Sequence, residues 1–352
     1  MAGIRTTTIG AYPKPDYVPI QDWFTAPEGM TTANATLAYE AALEKAGIDA
    51  EALFVRAAAE AIADQVEAGI DIPTDGEVRR ENYIHYHCRH LDGFDFDNLT
   101  VRPVRNGAYE AELPTIRGDI RARETGFLVH DWKAAQATTD HPVKVTIPGP
   151  ITIGDTTAND FYPSEAHQAR AMADALNSEV RALADAGCRY IQIDEPLFAR
   201  KVDEALAFGV ETLERCFNGV PDSVTRVVHI CCGYPSYLDQ TDYLKAEQSS
   251  YGRLAKALDA AKVDQISIED AHRHNDLSLL DLFETSTIIF GSIAVAKSAV
   301  ENVDDVRNRL RAALDHIDRD RLMAAPDCGL GFLGRDLARS KLSVLCEAAR
   351  SV

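Results

Sequence analysis

The chain has 352 residues, of which 46% are hydrophobic and 26% are charged, and its formal net charge at pH 7 is −19. This length suits one large domain or two ordinary ones, and the negative charge argues against nucleic acid or an anionic membrane as a partner. The sequence contains no apolar run long enough to span a membrane and no signal-peptide core near its N-terminus. Seven cysteines without a disulfide-rich pattern favour a cytoplasmic location, where a conspicuous cysteine is a candidate metal ligand or redox group.

Short β-rich runs alternate along the chain with longer segments of helical character. Several of these runs are apolar almost throughout, as strands covered on both faces of a sheet usually are. The predicted strands lie at residues 6–12, 69–75, 142–148, 189–194, 226–231, 264–269, 287–295 and 321–327.

The segments between the predicted strands carry apolar residues at helical spacing. Residues 49–69 end in a glycine after the last turn, and residues 164–187 begin beside Ser164, a residue type that caps helix N-termini. Strand followed by helix, repeated eight times, predicts an α/β fold of the (β/α)8 TIM-barrel class. A doubly wound open sheet is the alternative, and the lack of a Gly-rich dinucleotide or phosphate loop argues against it.

One stretch interrupts this rhythm, because residues 93–141 separate the second and third predicted strands by more than a simple crossover needs. Within it, LTVRPVRNGAYEAELP alternates around an Asn-Gly pair, a pattern that predicts a β-hairpin. We therefore interpret residues 1–352 as a single catalytic domain in which residues 93–141 form an insertion after the second strand.

Metal-ligand side chains stand at the carboxyl ends of three predicted strands, where TIM barrels carry their chemistry. His229 and Cys231 are two apart on one strand and point to the same face, whereas Cys232 points away and is predicted to pack. Glu269 ends the next strand and Cys328 follows the last. Each residue alone is more often structural than a ligand, but four that converge on one opening predict a metal site. One imidazole, two thiols and one carboxylate suit zinc better than magnesium or calcium.

Seven segments, in order, resemble the catalytic barrel of the cobalamin-independent methionine synthase family, in the short form that lacks the N-terminal duplicate barrel. The resemblance implies zinc on the same four residues, where it would hold a thiol substrate as a nucleophilic thiolate. It also implies that Glu77 and Asp194 bind the amine of homocysteine, although ion pairing with nearby arginines is their structural alternative. The segments are TTTIGAYPKP, DGEVRRENYIHYHCRHLDGF, VKVTIPGPITI, YIQIDEP, HICCG, ISIE and PDCGLG.

The chain departs from the family pattern at groups that would contact the substrates. Ala11 stands where the family has a serine near the homocysteine carboxylate. Ala294 and Ala296 replace an aspartate and a histidine at the end of the seventh strand, and the resemblance makes that histidine the acid for the leaving folate nitrogen. Lys297 is the candidate nearest in sequence to the missing acid, and the family's tryptophan beside folate is absent from GDTTANDFYP.

The sequence therefore predicts a zinc-dependent thiol methyltransferase of methionine biosynthesis, whose partners are a small-molecule thiol, homocysteine first, and an alkyl donor. The related epoxyalkane:coenzyme M transferase reaction, in which a thiol opens an epoxide, is the alternative, because it requires no protonated folate nitrogen. A non-catalytic zinc- or thiol-binding barrel is a second alternative, and the scattered spacing of the ligands argues against it. Folate, methylcobalamin and an epoxide stay open as donors.

Overall fold

The structure is a computed structural model that describes residues 3–22, 24, 32–47, 49–104, 109–233, 235 and 237–352. Its strands are β1 (Arg5–Thr6), β2 (Leu91–Val104), β3 (Tyr109–Ala122), β4 (Val145–Pro148), β5 (Ala158–Asn159), β6 (Tyr190–Asp194), β7 (Thr225–Ile230), β8 (Gln265–Ile268), β9 (Thr287–Ile293) and β10 (Leu322–Pro326). Its helices are α1 (Thr32–Ala46), α2 (Asp49–Ala68), α3 (His85–Cys88), α4 (Phe127–Gln136), α5 (Pro150–Asp155), α6 (Glu165–Ala186), α7 (Val202–Glu204), α8 (Val210–Cys216), α9 (Ser250–Asp259), α10 (Val303–Ala313) and α11 (Arg335–Arg350). A π-helical segment, Ala205–Gly209, joins α7 to α8, and short 3-10 helices lie at Leu277–Leu282 and Arg319–Arg321.

A parallel sheet of seven strands, in the order β1-β10-β9-β8-β7-β6-β4, forms the centre of the fold. Its two edge strands are joined through residues 72–74, because Thr7 forms a parallel bridge with Ile72 and Thr74 forms one with Lys144. The sheet therefore curls until β1 and β4 lie on either side of this short segment. The predicted mixed α/β class with a parallel sheet is confirmed, and residues 72–74 fall within the second predicted strand.

The two faces of the curled sheet bury different side chains. Alternate residues of β7 illustrate this: Val227 belongs to a small apolar cluster with Ile9, Ile72 and Met323, whereas Val228 packs in the main core. Because side chains alternate along a strand, His229 shares the face of Val227 and points into the curl. Each fully buried aliphatic side chain of these layers contributes about 1.5–3 kcal/mol.

Helix α6 shows how local sequence sets the ends of the surrounding helices. Ser164 has extended backbone angles and its side chain accepts a hydrogen bond from His167 N, which confirms the predicted N-cap. Gly187 ends the helix with a φ of 99°, a conformation that favours glycine. Among the described residues, none of the helices combines the length and apolarity needed to cross a membrane.

The interruption after the second predicted strand contains an antiparallel hairpin. Strands β2 and β3 pair from Leu91 opposite Ala122 to Val104 opposite Tyr109, and helix α4 follows. The Asn-Gly pair that predicted the turn lies outside the described residues. Strand β3 also pairs with the short strand β5, so the hairpin is tied to the loop that follows α5.

Histidines at the start of this hairpin are buried and hydrogen-bonded. His85 Nε2 lies 3.0 Å from Thr156 O and must donate to it, so Nδ1 accepts from the Thr36 hydroxyl at 3.0 Å. The imidazole is therefore neutral, and burial lowers its pKa from 6.5 to about 4.

The neutral state of His85 gives a testable pH dependence of stability. The unfolded chain binds this proton at a higher pH than the folded chain, so the stabilisation is complete above pH 6.5 and is lost as the pH falls toward about 4. We expect this residue to contribute a loss of roughly 3 kcal/mol in the free energy of unfolding over that window. Denaturant unfolding between pH 4 and 7 should show that the free energy of unfolding of His85→Gln depends less steeply on pH than that of the unaltered protein. His274→Gln, at an exposed position, should show the same pH dependence as the unaltered protein. Equal slopes in all three proteins would disprove the assignment.

Candidate metal centre and substrate cavity

A cavity of about 120 Å³ opens where the parallel strands end. It has room for roughly four water molecules, which is the scale of a small thiol. The loops after β1, β6, β7 and β10 contribute to its wall, together with residues that follow segment 72–74. The side chains discussed below that line it are Ala11, Glu77, Tyr83, Asp194, Arg200, His229, Cys231 and Cys328.

Three of the four predicted metal ligands meet in this cavity. The ligand atoms of His229, Cys231 and Cys328 all lie within 4.8 Å of one another. His229 Nδ1 is hydrogen-bonded to Ser267 Oγ at 2.9 Å, while its Nε2 is buried and has no hydrogen-bond partner among the described residues. Buried polar atoms are nearly always paired, and a histidine anchored through one nitrogen typically offers the other to a metal. The residues present therefore fit a zinc ion.

The two thiols of this set have opposite proton affinities. The pKa of Cys231 lies well below its ordinary value, because Cys328 donates a hydrogen bond to it and His229 lies nearby. The same hydrogen bond, together with burial, raises the pKa of Cys328. Cys231 is therefore the thiol that ionises first, as a soft metal ligand requires. Its neighbour Cys232 lies in the hydrophobic core, as the strand parity predicts, and burial raises its pKa to about 12.

Glu269, the fourth predicted ligand, is not a member of this group of three and has another partner. It directly follows β8 and is 4% exposed, and its Oε2 accepts a hydrogen bond from Lys245 Nζ at 3.1 Å. Burial and the negative charge of Cys231 raise the pKa of Glu269 to about 8. The charge of Cys231 thus affects the pKa of this carboxylate, and Lys245, from the loop before α9, donates a hydrogen bond to it.

Glu269 also belongs to a second group of ligand-type side chains, with His272 and Asp327. Asp327 Oδ1 accepts from the amides of Asp270 and Ala271, and its Oδ2 accepts from His272 N and Nδ1. The remaining nitrogen of His272 accepts from the Ala296 amide at 3.1 Å. Because these atoms are fully used, the group acts as a scaffold for the loops that carry Glu269 and Cys328 and does not fit a second metal.

Glu77 lines the cavity but is already neutralised. Its Oε1 accepts from Thr146 Oγ1 at 2.7 Å and from Arg80 Nη1 at 3.3 Å, and Arg80 is itself buried. A Cβ on Gly10 would lie 2.5 Å from the same oxygen, so glycine is needed for this close approach. Glu77 also has a φ of 55°, an unusual value for a residue other than glycine.

The two acids that end β6 have different partners. Glu195 accepts from the amides of Ile151 and Thr152 and from the Thr152 hydroxyl, so it caps the N-terminus of α5. Asp194 lines the cavity, accepts one hydrogen bond from Gln192 Nε2 at 2.7 Å and forms no ion pair with any described residue. Burial raises the pKa of Asp194 to about 7. Of the two acids that line the cavity, Asp194 is therefore the one without an ion pair among the described residues.

The structure also separates one predicted residue from the cavity and adds two that sequence reasoning missed. Lys297 is exposed in a turn after β9 and is not part of the cavity wall. Tyr83 lines the cavity, and burial together with the charge of Asp194 raises its pKa well above the ordinary value, so its hydroxyl stays protonated. Arg200 also lines the wall, six residues after Asp194. Its place shortly after a strand end was the signal that could have identified it.

The Glu77–Arg80 pair gives a prediction about stability. Removing one partner of a buried ion pair leaves an uncompensated charge, which costs about 3–5 kcal/mol. We expect that loss in the free energy of unfolding of Arg80→Met, measured with denaturant, and a partial recovery when Glu77→Gln is added. The matched control is Arg215→Met, whose pair with Asp174 is half-exposed and is worth under about 1 kcal/mol. A loss no greater than the control's would contradict the prediction.

Comparison with known proteins shows full-length similarity to one family. The model of the family described as "Cobalamin-independent synthase, Catalytic domain" matches residues 4–351. The methionine synthase of Sulfolobus acidocaldarius is 31% identical over 342 residues, which cover 96% of this chain and 89% of that protein. That of Saccharolobus solfataricus is 30% identical and is matched over 99% of this chain and 95% of its own length.

A solved structure extends this similarity to three dimensions. A B12-independent methionine synthase from Shewanella sp. W3-18-1, in complex with selenomethionine, superposes with a TM-score of 0.85 at 30% identity. The match covers 99% of this chain and 97% of that one.

Proposed function

Because this chain belongs to the cobalamin-independent methionine synthase family, we propose that it transfers a methyl group to the sulfur of homocysteine in a zinc-dependent reaction. The observation that carries the proposal is one cavity that combines a buried, unpaired imidazole nitrogen, two thiols and a free carboxylate. The complex of the Shewanella relative with selenomethionine, the selenium analogue of methionine, supports the product class.

The proposal includes the architecture on which the site is built. We infer a single (β/α)8 domain over residues 1–352, with segment 72–74 as its second strand and residues 93–141 as an excursion after it. The parallel bridges on both sides of that segment and the β2–β3 hairpin support this description. All seven cysteines are free thiols, which is consistent with the cytoplasm as the compartment.

Zinc, held by His229, Cys231, Cys328 and Glu269, would lower the pKa of the substrate thiol and keep it as a nucleophilic thiolate. Ser267 fixes the orientation of the His229 ring through Nδ1. Asp194 receives the ammonium group of homocysteine. Lys245 donates a hydrogen bond to Glu269 Oε2, so this carboxylate would be shared between zinc and the lysine.

The end of β9 bears on the choice of methyl donor. Ala296 presents no acid to the cavity, its amide is bonded to His272, and Lys297 is exposed. The end of β9 therefore supplies no acid for a donor whose leaving nitrogen must be protonated. A donor with a better leaving group, such as a methylcobalamin-type compound, suits the site more closely.

One observation favours a second candidate function, the addition of coenzyme M to an epoxide. Arg200 lines the cavity, and a guanidinium binds a sulfonate as well as a carboxylate. The free carboxylate of Asp194 argues against it, because coenzyme M has no amine to match.

The metal assignment is tested by zinc affinity. A lost second-shell partner typically costs about 10–100-fold in metal affinity, so Cys231→Ser, Cys328→Ser and His229→Asn should each lose more than about 100-fold. Competition with a chromophoric chelator measures this. Cys232→Ser, the adjacent buried thiol, should bind zinc like the unaltered protein. Equal losses at positions 231 and 232 would rule out the proposed ligand set.

The donor assignment is tested by steady-state rates of the zinc-loaded protein with homocysteine, with the product identified by mass. General acid help is worth about 10²–10⁴-fold, so we expect weak or absent turnover with methyl-folate and faster turnover with a methylcobalamin-type donor or an epoxide. Lys297→Ala should change neither rate. Robust methylation from methyl-folate that disappears in Lys297→Ala would show instead that the acid has been relocated to that lysine.

A further inference from the structure

Arg200 carries a positive charge into the cavity and forms no ion pair with another described residue. Its backbone amide donates to Leu197 O at 3.0 Å, so a tight turn after β6 positions the residue. Its side chain lines the cavity, and its Nε is fully buried with no hydrogen-bond partner among the described residues.

Two side chains of opposite charge type in this cavity, Asp194 and Arg200, therefore lack an ion-pair partner among the described residues. Glu77 is neutralised by Arg80, whereas no ion pair within the described part of the chain engages Asp194 or joins it to Arg200. Arg200 is the single lysine or arginine of the described wall, to which Ala11 contributes only a methyl group. Buried polar groups are nearly always paired, and a guanidinium and a carboxyl group that face one cavity of about 120 Å³ without an ion pair among the described residues match a small zwitterion.

We infer that Arg200 binds the anionic group of the thiol substrate, opposite the ammonium group that the proposed function assigns to Asp194, so that Arg200 completes the selection of a zwitterionic thiol. The inference rests on the proposed function and goes beyond it by assigning Arg200 as the residue that determines specificity for the carboxylate. The guanidinium presents a planar pair of donors that suits a carboxylate. Because a sulfonate offers similar oxygens, the experiment must include both.

The test measures binding of four thiols to the zinc-loaded protein by calorimetry, with the spectrum of the cobalt-substituted protein as a second readout. The thiols are homocysteine, 3-mercaptopropylamine, which lacks the carboxylate, 4-mercaptobutanoate, which lacks the amine, and coenzyme M, which carries a sulfonate. Homocysteine should bind the unaltered protein most tightly. Hydrogen bonds to charged groups are worth about 1.5–3 kcal/mol, so each lost contact should weaken binding about 10–100-fold.

The variants separate the two contacts. Arg200→Met should weaken homocysteine and 4-mercaptobutanoate but leave 3-mercaptopropylamine unchanged, and Asp194→Asn should weaken homocysteine and 3-mercaptopropylamine alone. Arg200→Lys, which keeps the charge without the planar donors, should recover part of the affinity. The matched control is Lys201→Met, because this neighbouring cation is paired with Asp155 at 2.8 Å and should leave all four affinities unchanged.

The outcomes distinguish this inference from the proposed function. If the zinc-loaded protein binds no homocysteine, the proposed function fails. If it binds homocysteine and both Arg200→Met and Arg200→Gln bind it equally well, the function stands and the role of Arg200 is rejected. Tighter binding of coenzyme M than of homocysteine would overturn the selection of a zwitterion.

Discussion

Buried carboxylates are the constraint on which the rest of this structure depends. Six acids cluster where the parallel strands end, and none is more than 6% exposed. Each must find a cation or a set of amides, since an uncompensated buried charge costs several kcal/mol. Their partners fix the surrounding loops. The acids are Glu77, Asp194, Glu195, Glu269, Asp270 and Asp327.

Five of these acids organise the scaffold. Glu195 holds the start of α5, Asp270 pairs with Arg309 of α10, and Asp327 gathers the amides of the loop after β8. Glu77 is held by Arg80 and Glu269 by Lys245. Asp194 is the exception, because among the described residues its side chain accepts only from the side-chain amide of Gln192 and forms no ion pair. It lines the same cavity as the clustered side chains of His229, Cys231 and Cys328.

Lys144 is a buried cation to which the same energetic cost of burial applies. It is 1% exposed, its Nζ has no hydrogen-bond partner among the described residues, and burial lowers its pKa to about 7. The carboxylate of Asp194 is the charge that favours its protonated form. The interior of the curled sheet therefore keeps one basic and one acidic group in electrostatic contact without a direct ion pair between them.

Strand periodicity accounts for the part of the site that could be predicted from sequence. His229 and Cys231 follow from a two-residue spacing, and Cys328 follows from its place after the last strand, because the ends of parallel strands meet at one edge. Side chains supplied by irregular segments leave no such pattern. Lys245 lies in a loop and Arg200 in a turn, and neither has a periodicity that could have placed it. Contacts also decided between neighbouring acids, since the sequence Asp194-Glu195 does not reveal which one will cap a helix.

The turn after β9 shows what surrounds Ala296, the position at which the family resemblance implies a histidine. The Ala296 amide donates to His272, and its carbonyl accepts from the Asp239 amide at 2.8 Å. Asp239 in turn accepts from Ser298 N at 2.8 Å, so this turn is bound on both sides by the loops that follow β7 and β8. An alanine at position 296 makes that packing possible because its small side chain is buried with the turn. The backbone of this segment thus serves to hold together the loops that follow β7 and β8, whereas the cavity wall keeps a protonated hydroxyl at Tyr83, on a different segment of the chain.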